Sequence, residues 1–357
     1  MRTRLLAMAT ASLWLVASTA FADDAGRPVR LIGQAPSATD PAARAFVLDL
    51  WLTKGEGAFK QDIKGWYAAL PPDPAASGEA SGTCVSNACV VNVDVPNAKL
   101  SLTGDFTSGA GGAGGFALAD DDDKPTAQGA ASFGPLPVTV PGVGEIAAPD
   151  AVTGTELKSL LEWAGQSVSS DSFDPDLPDD TERDALSSWQ NSHDEPATGL
   201  ITTSDLAVLR KGAADGKAAA GWTVIGDKAR GWSAGYPAAL MPKAETVGRE
   251  QRFGSADGRA SLVVAVDPPV SGDDFVAMVE KETADAPGRS SNNYARINDD
   301  LTHTYTEGGR QVTVIMHRRE GGLARLMFTR PETADDWAMY DNLIPSSFVV
   351  SDEVKAP

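Results

Sequence analysis

Residues 302–329 read THTYTEGGRQVTVIMHRREGGLARLMFT. Three runs rich in β-branched and apolar residues, at 302–307, 310–317 and 323–329, are separated by Gly308-Gly309 and by Glu320-Gly321-Gly322. Glycine adopts the positive φ of tight hairpin turns at no steric cost, so this spacing predicts a three-stranded antiparallel meander. Working outward, residues 260–266 form a near-continuous apolar run, the pattern of a buried strand. Residues 273–282 place Phe275, Met278 and Val279 on one helical face. Downstream, residues 333–343 carry Trp337 and Tyr340 at helical spacing, and Phe348 closes the region. The expected product is an antiparallel sheet with helices packed on one face.

The order of these elements, with Tyr236-Pro237-Ala238-Ala239-Leu240 at the start, Asp257-Gly258 before the first long strand and Ser346-Ser347-Phe348 at the end, resembles the PsbP/Mog1-like family of small α+β domains over residues 232–348. The resemblance implies a fold and an accessory or binding role. The family shares no active site, so no residue role carries over.

Residues 151–226 are helical in pattern. Thr155 is placed to cap a helix bearing Leu157, Leu160, Leu161 and Ala164 that closes at Gly165. A second helix is expected to start near Asp180-Thr181 and to carry Ala185, Leu186 and Trp189. A third is expected over 204–211, with Leu206 and Leu209 inward and Gly212 as its stop. Helices this short are marginal alone, so a small bundle is expected. Ala185-Leu186-Ser187-Ser188-Trp189-Gln190, then Ala197-Thr198-Gly199-Leu200-Ile201, then Asp205-Leu206 through Leu209, resembles the second half of a peptidoglycan-binding-like domain over residues 181–211. That resemblance implies a three-helix module that often targets a protein to the cell wall and carries no chemistry of its own. Two roles stand open for its aromatic–glutamine pair. Trp189 can fill the bundle core while Gln190 caps backbone groups. Alternatively Trp189, Gln190, Thr198 and Gly199 line a shallow groove for a glycan or stem peptide.

Residues 23–150 are read as β-rich with one helix. Asp40-Pro41 has the cap and first-position proline of a helix start, and Phe46, Val47, Leu50 and Trp51 fall on one face before Gly55. Cys89, Val91, Val93 and Val95 alternate against Val90, Asn92 and Asp94, and Leu100 and Leu102 continue that alternation past Pro96-Asn97-Ala98, which predicts a hairpin. Gly109 to Gly115, followed by Asp120-Asp121-Asp122-Asp123-Lys124, reads as a mobile loop with an acidic tip. It lacks the Gly-Lys-Ser/Thr of a phosphate cradle and the ligand spacing of a calcium loop.

Length and charge bound the rest. A chain of 357 residues is long enough for two or three domains. Its 35 Gly and 23 Pro imply long connections. A formal charge of −19 repels phosphate backbones, so nucleic acid is not an expected partner. Arg2 and Arg4 precede an apolar stretch from Leu5 to Val16, and Ala20-Phe21-Ala22 offers a signal-peptidase site. Cleavage is therefore expected after Ala22, and no later run has the length of a membrane helix. The expected organisation is a signal peptide at 1–22, a β-rich region at 23–150, a helical module at 151–226 and the α+β domain at 227–357, where the acidic excess drops sharply. In fold class this is an α+β multidomain protein. Cys84 and Cys89 are the only cysteines, and in an oxidising compartment they form a disulfide. Two cysteines and three histidines are too few for a structural zinc site.

Candidates for chemistry are sparse. His193, His303 and His317 are scattered, and no H-E-x-x-H or S-x-x-K pattern occurs. Gly231-Trp232-Ser233-Ala234-Gly235 satisfies G-x-S-x-G, but Asp227-Lys228-Ala229-Arg230 is no buried strand, and Pro237 falls where the following helix needs an N–H. No catalytic residue, metal ligand or cofactor is assigned. The functional expectation is an exported, periplasmic binding protein of a Gram-negative-type envelope. Its partners are expected to be peptidoglycan or an envelope protein. An accessory protein with no wall affinity and a serine hydrolase using Ser233 are the alternatives.

Overall fold

In the computed structural model, the described residues are 26–354 apart from 37–42, 58, 71–76, 96–97, 121, 169–179, 228–230, 334 and 353. The signal peptide, its cleavage site, the Asp40-Pro41 helix start and the Pro96-Asn97 turn lie outside them. Among the described residues, strand accounts for 50% and helix for 21%, which overturns the α+β reading in favour of a strand-dominated architecture. Two compact units are present: the first is drawn from the chain up to Pro135, and the second comprises Leu136–Pro357 together with the short stretches Arg44–Phe46 and Ala68–Glu79.

The first unit is built on a closed antiparallel barrel in which each strand pairs with the next and the last returns to the first. Its strands are β1 (Arg27–Pro36), β2 (Ala43–Lys54), β3 (Lys60–Leu70), β4 (Ser77–Val85), β5 (Ala88–Val95), β6 (Ala98–Gly104), β7 (Gly112–Ala119) and β8 (Pro125–Pro135). Closure removes the unpaired edges that an open sheet would expose. The helix expected at Phe46 is strand β2. Phe46, Val47, Leu50 and Trp51 satisfy a helical face, but Phe46, Leu48, Leu50 and Leu52 satisfy a strand face equally well, and all four are buried. Pairing with neighbouring strands selects the second period over the first.

The glycine-rich run is a loop only at residues 109–111, because Gly112 to Gly115 belong to β7. A Cβ on Gly114 would stand 2.0 Å from the Thr103 carbonyl oxygen and 2.7 Å from the Phe133 ring, so the strand needs glycine there for close approach. Asp120 accepts from the amides of Asp122 and Lys124, and Lys99 reaches Asp123 at 2.8 Å. The expected hairpin is β5–β6, with Val91 opposite Leu102 and Val93 opposite Leu100. Cys84 and Cys89 face each other across β4–β5 and are joined as a disulfide.

The second unit opens with a short ribbon, β9 (Thr139–Val140) and β10 (Gly144–Glu145), followed by α1 (Gly154–Trp163), α2 (Asp180–Ser192) and α3 (Thr203–Ala220). The cap of α1 is Thr153 rather than Thr155: its hydroxyl accepts from the Glu156 amide at 3.1 Å. Helix α3 runs straight through Gly212, around which there is open space, and ends only at Gly221, whose φ of +58° is the left-handed cap. Next come β11 (Trp222–Asp227), β12 (Trp232–Pro237), β13 (Lys243–Val247), β14 (Glu250–Gly254), β15 (Ser261–Asp267) and α4 (Gly272–Thr283). The chain continues with β16 (Arg289–Ile297), β17 (Asp300–Glu307), β18 (Arg310–Arg319), β19 (Gly322–Pro331), α5 (Asp335–Ala338), α6 (Tyr340–Ser346) and β20 (Val349–Val350).

Strands β13-β14-β15-β19-β18-β17-β16 form one antiparallel sheet, and β11-β12-β20 form a second. The meander of residues 302–329 is its centre and far side. Helices do not sit on one face only. Val312, Val314 and Met316 of β18 and Leu323 of β19 join a cluster with Phe275 and Val279 of α4. The alternate residues Ile315, Leu326 and Phe328, with Leu262, Val264 and Val266 of β15, join a different cluster. That second cluster is continuous with Leu157, Leu160, Leu161, Trp189, Leu206 and Leu209 of α1–α3 and with Tyr340 and Leu343 of α6. Consequently α1–α3 are not a free-standing bundle: helices too short to bury their own apolar stripes share a core with the sheet. Buried Glu162 of α1 accepts a 2.8 Å hydrogen bond from Ser346 of α6 within that core, and burial pushes its carboxyl pKa up.

Candidate functional site

Trp189 and Gln190 occupy the last turns of α2, and the chain then folds back through Thr198 and Gly199 before α3. Gln190 is 1% exposed. Its Nε2 donates to the Leu200 carbonyl at 2.9 Å and to Asp205 Oδ2 at 3.0 Å. Its Oε1 accepts from the Thr198 and Gly199 amides, each at 3.0 Å. Both donors and both lone pairs of the amide are thereby used. Asp205 is buried beside it, and Oδ2 also accepts from the Thr202 amide while the Thr202 hydroxyl accepts from the Asp205 amide, a closed capping box on α3. Thr198 is fully buried with its hydroxyl bonded to the Leu200 amide, and Gly199 supplies a φ of +65° at the turn. Trp189 is 2% exposed, with the His193 ring lying 4.4 Å away.

All four residues read as a wall-contact groove are therefore inside the fold, in the core and capping roles that were the other reading. The surface of this turn is His193, Asp194 and partly covered Glu195. A hydrogen bond to Asp205, then burial and repulsion from the Asp205 carboxylate, raise the Glu195 pKa to about 7, against the pull of His193. Glu195 thus holds its proton more tightly in the folded chain than in the unfolded one. Its contribution to stability is complete below about pH 4.5, falls as pH rises through the interval up to about 7, and is absent above it. Chemical unfolding followed across that interval is expected to show a downward slope that Glu195→Gln flattens. An unchanged slope in the variant would assign the dependence to another group.

The remaining candidates are held apart. Ser233 lies within β12, paired with Gly226 and Val349, and the strand runs on to Pro237 with no helix directly after it, so the strand-to-helix elbow is not formed. His303 is fully buried on the α4 side of the sheet, 2.5 Å from Asn292 Oδ1 and 3.4 Å from Glu282 Oε1. Burial holds its pKa below the usual value, with Glu282 opposing. His317, on the same strand as Val314 and Met316 but on the opposite parity, donates from Nδ1 to Asp300 at 2.8 Å. No group of three or more metal-ligating side chains is found among the described residues, and no helix there is long and apolar enough to cross a membrane.

A feature without a sequence signature lies at the far edge of the large sheet. Asn293, Ala295 and Ile297 of β16 stand opposite Thr304, Thr302 and Asp300 of β17. These residues, with Tyr294, line an open groove of about 280 Å³. A groove of the same volume on the barrel carries the Lys99–Asp123 ion pair. Burial alone would raise Asp300, but hydrogen bonds from His317 and Arg319 lower its pKa to about 2. Only the strand pairing brings these six residues together; in sequence they are unremarkable polar and apolar alternations.

No family model matches the chain, and no curated protein is similar to it. Among solved structures, the chain is similar to the cyanobacterial PsbP protein (CyanoP) of Synechocystis sp. PCC 6803. The TM-score is 0.25 and the identity 17%, over 36% of this chain and 92% of that one. The likeness is one of coarse fold.

Proposed function

We propose that this chain is an exported, non-catalytic binding protein of the periplasm that associates weakly with peptidoglycan, with the C-terminal sheet open to an envelope protein. What supports the reading is that α1 packs against α2 and α3, and that the buried Gln190 amide clamps the Thr198-Gly199 turn to the cap of α3. The Cys84–Cys89 disulfide is compatible with an oxidising compartment. A formal charge of −19 opposes long-range attraction to anionic wall groups, so contact has to rest on short-range hydrogen bonds and be weak. Sedimentation with purified, protein-free sacculi at low and moderate salt is the test. Retention of the chain in the pellet is expected at both salts; its recovery in the supernatant at both overturns the reading.

A further inference from the structure

We propose that the groove between β16 and β17 is a binding site for a neutral, hydroxyl-rich ligand, a short stretch of glycan, and that this groove rather than the Trp189–Gln190 turn makes the wall contact; this rests on the binding role above. The pleat of β17 divides its side chains. Leu301, His303 and Tyr305 are buried toward α4, whereas Asp300, Thr302 and Thr304 point to the other face. On that other face the apolar cluster covers β15, β19 and Ile315 of β18, and it includes no residue of β16 or β17. Thr302, Asn293, Ala295 and Ile297 are exposed.

Three polar side chains in this groove are uncommitted. The Asn293 amide and the Thr302 and Thr304 hydroxyls form no hydrogen bond with the described residues, in contrast to Gln190, whose bonding capacity is exhausted. Ala295 lies opposite Thr302, and Ile297 opposite Asp300, so the polar groups alternate with a small apolar floor. An amide and two hydroxyls both donate and accept, which suits sugar hydroxyls, while the methyl floor suits the C–H face of a pyranose.

Charge narrows the class further. No lysine or arginine lines the groove, so a phosphate or carboxylate ligand finds no cation there. The one charged lining group, Asp300, is bonded to His317 at 2.8 Å and to Arg319 at 2.5 Å, so a cationic ligand meets a carboxylate already compensated. What remains is recognition by hydrogen bonds alone, of a neutral ligand about the size of one or two sugar rings.

The test pairs two measurements on the intact chain and on a Thr302→Val, Thr304→Val double variant. Valine keeps the β-branched shape on a strand and removes only the hydroxyls, and an unchanged unfolding midpoint is the folding control. In titration with a soluble N-acetylglucosamine oligomer, the parent chain is expected to bind and the variant to bind about tenfold more weakly, the effect of about 1.4 kcal/mol at the two lost contacts. In sacculus sedimentation the variant is expected to move to the supernatant. Equal retention of parent and variant in the pellet overturns the groove while leaving wall binding intact. Failure of the parent to pellet overturns wall binding, and oligomer binding lost in the variant then still supports the groove. Absence of oligomer binding by the parent chain overturns the groove as a glycan site. Crosslinking from this edge to a protein, without oligomer binding, assigns it to a protein partner instead.

Discussion

Replacing Gln190 with leucine is expected to destabilise the second unit by about 4 kcal/mol, because four buried polar groups lose their partner at once. The Thr198 and Gly199 amides, the Leu200 carbonyl and Asp205 Oδ2 all bond to that one side chain. Leucine is close to glutamine in volume, so the loss reflects hydrogen bonding rather than a cavity. For a unit of this size the unfolding midpoint should fall by roughly 10 °C. A shift equivalent to less than about 1 kcal/mol would mean that water replaces the amide in the turn. The Thr302→Val, Thr304→Val variant is the internal contrast: those hydroxyls form no hydrogen bond with the described residues, so their removal should leave stability unchanged.

Phe328→Ala and Phe275→Ala are each expected to cost about 3–5 kcal/mol, and their effects should add to within about 0.5 kcal/mol in the double variant. Both rings are at most 1% exposed. They sit in different clusters on opposite faces of one sheet, Phe328 with β15 and the α1–α3 helices, Phe275 with α4 and the even-numbered residues of β18. Were the sheet covered on one face alone, one of these rings would be at the surface and its truncation nearly silent. Denaturant titration of the two single variants and the double decides the matter. Strong non-additivity would show that the two clusters relax as one.

The central meander and its turns were legible because they rest on local chemistry. Gly308 and Gly309 adopt φ of +59° and +72°, the conformation that two consecutive glycines signal. The β5–β6 hairpin and the Cys84–Cys89 pairing were legible for the same reason, since partners a few residues apart have little choice of geometry. Phe46 to Leu52 was not legible. Its apolar residues satisfy periods of 3.6 and of 2 alike, and only strands distant in sequence distinguish them. Gly114 is similar: a glycine run reads as a loop until a neighbouring carbonyl and ring are seen to occupy the space of a Cβ.

At the candidate sites the division is sharper. The pattern around Trp189 and Gln190 placed two helices and the turn between them, yet whether Gln190 faced solvent or the turn depended on where α3 docks. The β16–β17 groove left no trace in the sequence, because exposed threonines and an asparagine come together there only through the pairing of two strands.

By itself, then, the sequence determined the central meander and its turns, the cystine and the presence of helices α1–α3, all of which follow from contacts between near neighbours. Only the tertiary structure decided that β2 is a strand, that β1–β8 close into a barrel, that α1–α3 share a core with the sheet and that Gln190 is buried while Thr302 is open. The physical reason is that burial and pairing across tens or hundreds of residues are set by the closure of a whole core, and a local pattern compatible with two periods contains no record of which one that closure selects.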